Sequence, residues 1–122
     1  MPTFLRIEVF VGDLDAFVDF YTGVLGFEVA EDRRADGDQY VAVVRDTVRI
    51  GAVPPWTEVD RAARQVPTGV ELVLEVDDVR AEYSRVAASG YPVADPLQDR
   101  PWGLTDFRLH DPDGHYLRIT GC

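Results

Sequence analysis

Val11-Gly12-Asp13-Leu14-Asp15-Ala16 is echoed about 65 residues later by Val76-Asp77-Asp78-Val79-Arg80-Ala81, and Gly26-Phe27-Glu28-Val29 is echoed by Gly90-Tyr91-Pro92-Val93. An echo at half the chain length means two copies of one structural unit. Leading into each echo, apolar residues alternate: Leu5, Ile7, Val9 and Val11 in the first copy, Val70, Leu72, Leu74 and Val76 in the second. A period of two predicts a strand with one face on a core. Asp13 and Asp78 then stand where a side-chain oxygen caps free helix amides. Leu14, Phe17, Val18, Tyr21 and Leu25 follow at helical spacing, as do Val79, Tyr83, Val86 and Ala87. Gly26 and Gly90 are expected to end these helices in a left-handed conformation. Tyr21 and Tyr83, among apolar neighbours, are assigned to the core.

Further strands are predicted at 27–30, 39–44 and 48–53 in the first half, and at 91–94, 105–110 and 116–120 in the second. Each half therefore reads β-α-β-β-β. Arg45-Asp46-Thr47 and Asp111-Pro112-Asp113-Gly114 are short polar joints suited to hairpins, and the second is expected to be exposed. The segment from Glu31 to Asp38 reads as a charged loop. Pro54 to Thr68 reads as a linker with a helical turn around Val59 to Gln65. The expectation is an α+β fold forming a single domain over 1–122, with one module at 4–53, a second at 69–121 and the linker at 54–68.

Composition narrows the function. The 122 residues are 46% hydrophobic and 11% aromatic, enough to bury a core without metal or disulfide staples. Twelve Lys plus Arg against 22 Asp plus Glu give a formal charge of −10, a field that repels nucleic acid and anionic membranes but not a cationic ligand. Cys122 is the only cysteine, so no intrachain disulfide forms. The first residues lack the charged-then-apolar order of a signal peptide, and no apolar run reaches membrane-spanning length. The expected location is the cytoplasm.

If the odd residues of the first strand pack under its helix, alternation turns Phe4, Arg6, Glu8 and Phe10 the other way. The repeat carries these positions to Glu71, Val73 and Glu75. In the last strand Leu117 and Ile119 read as core, leaving Tyr116, Arg118 and Thr120 on the opposite side. Such a charged face either lines a cleft or is the solvated side of an antiparallel sheet.

The paired modules, the stretch Val-Gly-Asp-Leu-x(6)-Tyr-x(3)-Leu-Gly-Phe at 11–27 and Asp-Pro-Asp-Gly at 111–114 resemble the vicinal oxygen chelate superfamily of glyoxalases, extradiol dioxygenases and bleomycin-resistance proteins. Val44-Arg45-Asp46-x-Val48 and Pro101-Trp102-Gly103-x(3)-Phe107-x-Leu109-x-Asp111-Pro112-x-Gly114 are similar to the bleomycin-resistance branch. The resemblance implies curved mixed sheets around a cleft and a homodimer with exchanged strands. For the enzymes it also implies a divalent metal, whose ligand positions fall here at Arg6, at about Ile50 or Gly51, at Glu71 and at Arg118. Guanidinium groups have no lone pair to give, so no metal and no cofactor are expected. Glu71 between Arg6 and Arg118 reads as a structural ion pair rather than as a base.

His110 and His115 flank the Asp111–Gly114 turn and could form a two-histidine metal site, but spacing ties no third ligand to them. No Ser-His-Asp or Cys-His arrangement and no phosphate loop is recognisable. Trp102, beside Gly103, lies in a loop where it either stacks on a planar ligand or caps the core. Phe10, Tyr40 and Trp56 are candidates for the same wall, and Glu8, Arg6, Glu71 and Arg118 complete the candidate ligand-binding set. The expected function is non-enzymatic sequestration of a small, planar, cationic, antibiotic-like molecule. The alternative is a lyase, isomerase or dioxygenase of the same superfamily.

Overall fold

The computed structural model describes residues 2–64 and 67–122. Contacts divide the chain into two compact units, the first reaching Val59 and the second starting at Asp60.

In the first unit, β1 (Ile7–Phe10) leads into α1 (Leu14–Gly23), followed by β2 (Glu28–Asp32), β3 (Val41–Arg45) and β4 (Val48–Val53). The four strands form an open sheet in the order β1-β4-β3-β2, with β1 and β4 parallel and the other pairs antiparallel. The second unit opens with a 3₁₀ turn, Arg61–Arg64, and repeats the pattern: β5 (Leu72–Val76), α2 (Val79–Ser89), β6 (Asp95–Asp99), β7 (Thr105–His110) and β8 (Tyr116–Gly121). Its sheet order is β5-β8-β7-β6, with β5 and β8 parallel. The fold is α+β, built of two unclosed mixed sheets. The expected turn at Val59–Gln65 is realised over Arg61–Arg64, and Gln65 lies outside the described residues.

Both caps form as the sequence requires. Asp13 Oδ1 accepts from the Ala16 amide and Asp78 Oδ1 from the Ala81 amide, each at 3.0 Å. Each bond satisfies one of the orphan amides of a helix start and is worth about 1 kcal/mol. Gly90 closes α2 at φ +80°. α1 stops earlier than expected, at Gly23: the Leu25 amide bonds Phe20 O at 3.2 Å and the Phe27 amide bonds Tyr21 O at 2.8 Å. These widened turns consume two residues before Gly26 turns left-handed at φ +73°.

The helix of each unit covers one face of its sheet. In the first, Tyr21 is fully buried, its ring centroid 4.6 Å from Phe17, 4.9 Å from Phe20 and 5.6 Å from Phe27, over Val41, Val43, Ile50 and Ala52. In the second, Val79 and Val86 lie over Phe107, Leu109, Leu117 and Ile119, and the half-buried Tyr83 meets Phe107 edge-on at 5.1 Å. The other face of each sheet has no helix of its own, and the charged residues stand there.

Three expectations need correction. The strand expected at 91–94 begins instead at Asp95. Pro92 has no amide to give a ladder, and the Tyr91 hydroxyl donates to the His110 carbonyl at 2.5 Å, so the chain joins β7 only where the Ala94 amide reaches Arg108 O. Pro96 is tolerated because β6 is an edge strand with an irregular register between Asp95 and Gln98. The strand expected to start at Gln39 starts at Val41, since Gln39 takes φ +53°. The Asp111–Gly114 turn, expected to be exposed, is buried under the 3₁₀ turn: Asp113 pairs with Arg61 Nε at 3.0 Å and Arg64 Nη1 at 2.9 Å.

Candidate functional site

On the helix-free face of the first sheet, the register sets Glu8 opposite Gly51 and Gly51 opposite Ala42. Gly51 has no side chain, and the Glu8 carboxylate fills the space above it. Glu8 Oε1 accepts from the Tyr40 hydroxyl at 3.2 Å and faces Arg6 Nε at 3.0 Å. Glu8 Oε2 is buried without a hydrogen-bond partner. A carboxylate oxygen withheld from water and from donors is costly. Ile50 points the other way, into the core. Of the two positions the family resemblance offered, Gly51 is therefore the one on the open face.

The segment expected to be a charged loop carries its own counter-charges. Glu31 and Asp32 belong to β2, not to a loop. Arg33 pairs with Glu31 and Asp38, Arg34 with Asp32 and Asp15, and Arg49 lies 3.5 Å from Glu31. The Arg34 hydrogen bonds hold the Asp32 carboxyl at about 2. The Arg33 guanidinium also lies 5.9 Å from the Tyr40 ring centroid, a cation–π distance.

On the helix-free face of the second sheet, Arg118 on β8 stands opposite Val73 on β5 and Arg108 on β7. Glu71 pairs with Arg118 at 2.9 Å, which is the second-module half of the expected Arg6–Glu71–Arg118 arrangement; Arg6 pairs with Glu8 within its own unit. Sequence reasoning passed over Asp106, Arg108 and Arg100. Asp106 is fully buried, with Oδ1 2.8 Å from Arg100 Nε and Oδ2 3.7 Å from Arg108 Nη2. Arg100 also binds Asp95, which lowers the Asp95 pKa. The signal was present in Thr105-Asp106-Phe107-Arg108-Leu109-His110, whose even positions share a face with Arg118.

Of the aromatic candidates, Tyr40 is half-buried and the other three are exposed. Trp56 is 94% accessible and Phe10 43%. Trp102, at 57%, sits in the β6–β7 hairpin, where the Gly103 amide donates to Arg100 O at 3.0 Å and Gly103 takes φ +94°. A recess of about 280 Å³ at the start of α1, lined by Asp13, Asp15, Arg34 and Gln39 among others, had no sequence signal.

His115 is fully engaged. Nδ1 is 2.9 Å from Asp111 Oδ2 and Nε2 is 3.0 Å from Arg64 Nη1. A guanidinium only donates, so Nε2 accepts and the proton sits on Nδ1 toward Asp111. No lone pair is left for a metal. Among the described residues no three His, Cys, Asp or Glu side chains form a group able to hold a metal ion. The positions used by the family's metal enzymes supply two guanidiniums, a glycine and a Glu already bonded to Arg118, a set that does not fit a divalent cation.

Residues 3–119 match the model of the Glyoxalase/Bleomycin resistance protein/Dioxygenase superfamily. The chain belongs to that superfamily. It is similar to TioX from Micromonospora sp. ML1, with 25% identity, a TM-score of 0.79 and 98% of each chain covered. It is similar also to TnmS3, an antibiotic binding protein from Streptomyces sp. CB03234, with 25% identity, a TM-score of 0.73, and 99% of this chain and 96% of that one covered. A protein of unknown function from Agrobacterium tumefaciens str. C58 aligns at 25% identity and a TM-score of 0.75, over 100% of this chain and 95% of the other. No curated protein matches. No helix among the described residues is long and apolar enough to cross a membrane.

Proposed function

We propose that this superfamily member binds and sequesters a small planar molecule carrying a positively charged or N–H donor group, and releases it chemically unchanged. The observation that carries the reading is Glu8 Oε2, a buried carboxylate oxygen without a hydrogen-bond partner on the helix-free face of the first sheet, beside the Tyr40 hydroxyl. A ligand ammonium or amidinium gives that oxygen its missing donor through a charge-assisted bond. Phe10, Tyr40 and Trp56 of the same unit supply aromatic surface, with Arg6 as polar rim. The likeness to an antibiotic binding protein and the unsuitability of the donor set for a divalent metal support binding over metal-dependent chemistry.

The working form in this reading is a cytoplasmic homodimer with exchanged strands, each pocket built from both chains. Within their own sheets β1 and β5 are edge strands, each bonded on one side only, and edges of this kind favour partner pairing. Mass action suffices for such a role. Titration calorimetry against bleomycin-like glycopeptides, mitomycins and cationic quinone antibiotics tests it. The expected result is saturable binding of a cationic planar member, weakened about tenfold or more by Glu8→Gln. Equal affinity in the variant refutes the assignment of Glu8, and absence of binding across all three groups refutes the reading.

A further inference from the structure

Arg108 and Arg118 face one another across the antiparallel pair β7–β8, in the middle of the second sheet and on the side away from α2. Like charges placed directly opposite are unfavourable unless something is gained by holding them there. The chain satisfies them sparingly. Arg118 bonds Glu71 at 2.9 Å, and Arg108 bonds the Tyr116 hydroxyl at 3.2 Å, with Asp106 Oδ2 beyond hydrogen-bond reach at 3.7 Å. Each guanidinium has five N–H donors, and the Nε of both is buried with no partner. These are not solvated surface arginines: their side chains are 21% and 25% accessible, and their neighbour Asp106 is wholly buried.

We infer that Arg108 and Arg118 form a recognition site for a carboxylate borne on a flat aromatic framework. A guanidinium offers paired N–H donors to the two oxygens of a carboxylate and a planar face to an aromatic ring, and here two guanidiniums are borne by register partners on neighbouring strands. The nearby acids do not saturate the pair: Asp95 and Asp106 Oδ1 bond Arg100, Asp106 Oδ2 stays 3.7 Å from Arg108 Nη2, and Glu71 meets Arg118 but leaves its Nε without a partner. The inference concerns the second sheet alone. It does not depend on the role proposed for Glu8, and it adds an acidic group to the chemistry this protein selects.

The test compares 2-naphthoate, 2-naphthamide and 2-naphthylmethylammonium by calorimetry on the full chain. The three share one ring system and differ in the group that meets the arginines. The expected result is that 2-naphthoate binds about tenfold tighter than 2-naphthamide, and that the preference disappears in both Arg108→Gln and Arg118→Gln. Arg118→Lys keeps the charge but not the fork, and is expected to recover only part of the preference. Equal affinity for acid and amide in the unmodified protein overturns the inference whatever the variants do, as does absence of 2-naphthoate binding at about 1 mM. Binding of 2-naphthylmethylammonium that is sensitive to Glu8→Gln, without a preference for naphthoate, overturns this inference and leaves the Glu8 reading standing.

Discussion

Glu8 and Gly51 are register partners on adjacent parallel strands, and the Glu8 carboxylate occupies the volume that a Cβ on residue 51 would need. The glycine is thus what allows a charged side chain to lie flat against the sheet and to keep one oxygen away from water. In the second module the equivalent open face is filled by arginines instead.

Substituting Gly51→Ala evicts the Glu8 carboxylate and crowds the Tyr40 hydroxyl, which lies 2.5 Å from the new methyl. The expected cost is about 1–2 kcal/mol in urea denaturation. In a Glu8→Ala background that cost is expected to fall by about half or more, because the closer clashing group is gone and only the Tyr40 hydroxyl at the end of its side chain must shift. An undiminished cost in the double variant contradicts the seating of Glu8 over Gly51.

Gly114 is constrained twice. It takes φ +92°, and a Cβ there would stand 2.6 Å from the Arg61 carbonyl oxygen, which belongs to the backbone and cannot swing aside. Gly114→Ala is expected to cost about 2 kcal/mol or more by chemical denaturation. A neutral substitution shows that the 3₁₀ turn does not sit on the hairpin.

Burial, followed by the nearby Asp111 charge, pushes the Tyr91 phenol up from 10.0 to about 12. The neutral form is favoured in the folded protein. The stabilisation is therefore complete below pH 10 and lost as pH rises from about 10 to about 12. Absorbance at 295 nm during alkaline titration is expected to show a late tyrosine step that Tyr91→Phe removes. A Tyr91→Phe curve identical to that of the parent contradicts the buried hydroxyl.

Trp102 is more than half exposed, so Trp102→Ala is expected to leave the melting temperature within about 1 °C while weakening a planar ligand by about 1 kcal/mol. A large stability loss with unchanged affinity reverses its assignment from ligand wall to framework.

Most of the framework was legible because two short-range rules carry it. Alternation at Leu5–Val11 and Val70–Val76 gave the paired strands, and Asp13 and Asp78 marked both helix starts. The misreadings occurred where a distant residue decides a local structure. Tyr91 anchors to His110 and delays β6, and Arg61 and Arg64 cover a turn whose composition reads as solvent-exposed. The same limit applied to the site. Glu8 and Arg118 emerged from strand parity, whereas Arg108 and Asp106 gain meaning only once register sets β7 beside β8. The segment 31–38 read as a charged loop because sequence does not show which arginines return to pair with its acids.

The most direct test of sequestration is the mass of the compound released from the saturated complex. After prolonged incubation with the tightest-binding member of the antibiotic panel, denaturation and mass spectrometry are expected to recover one unaltered molecule per chain. A product of changed mass, formed in proportion to time and protein, would show that the protein transforms its guest and would contradict the account.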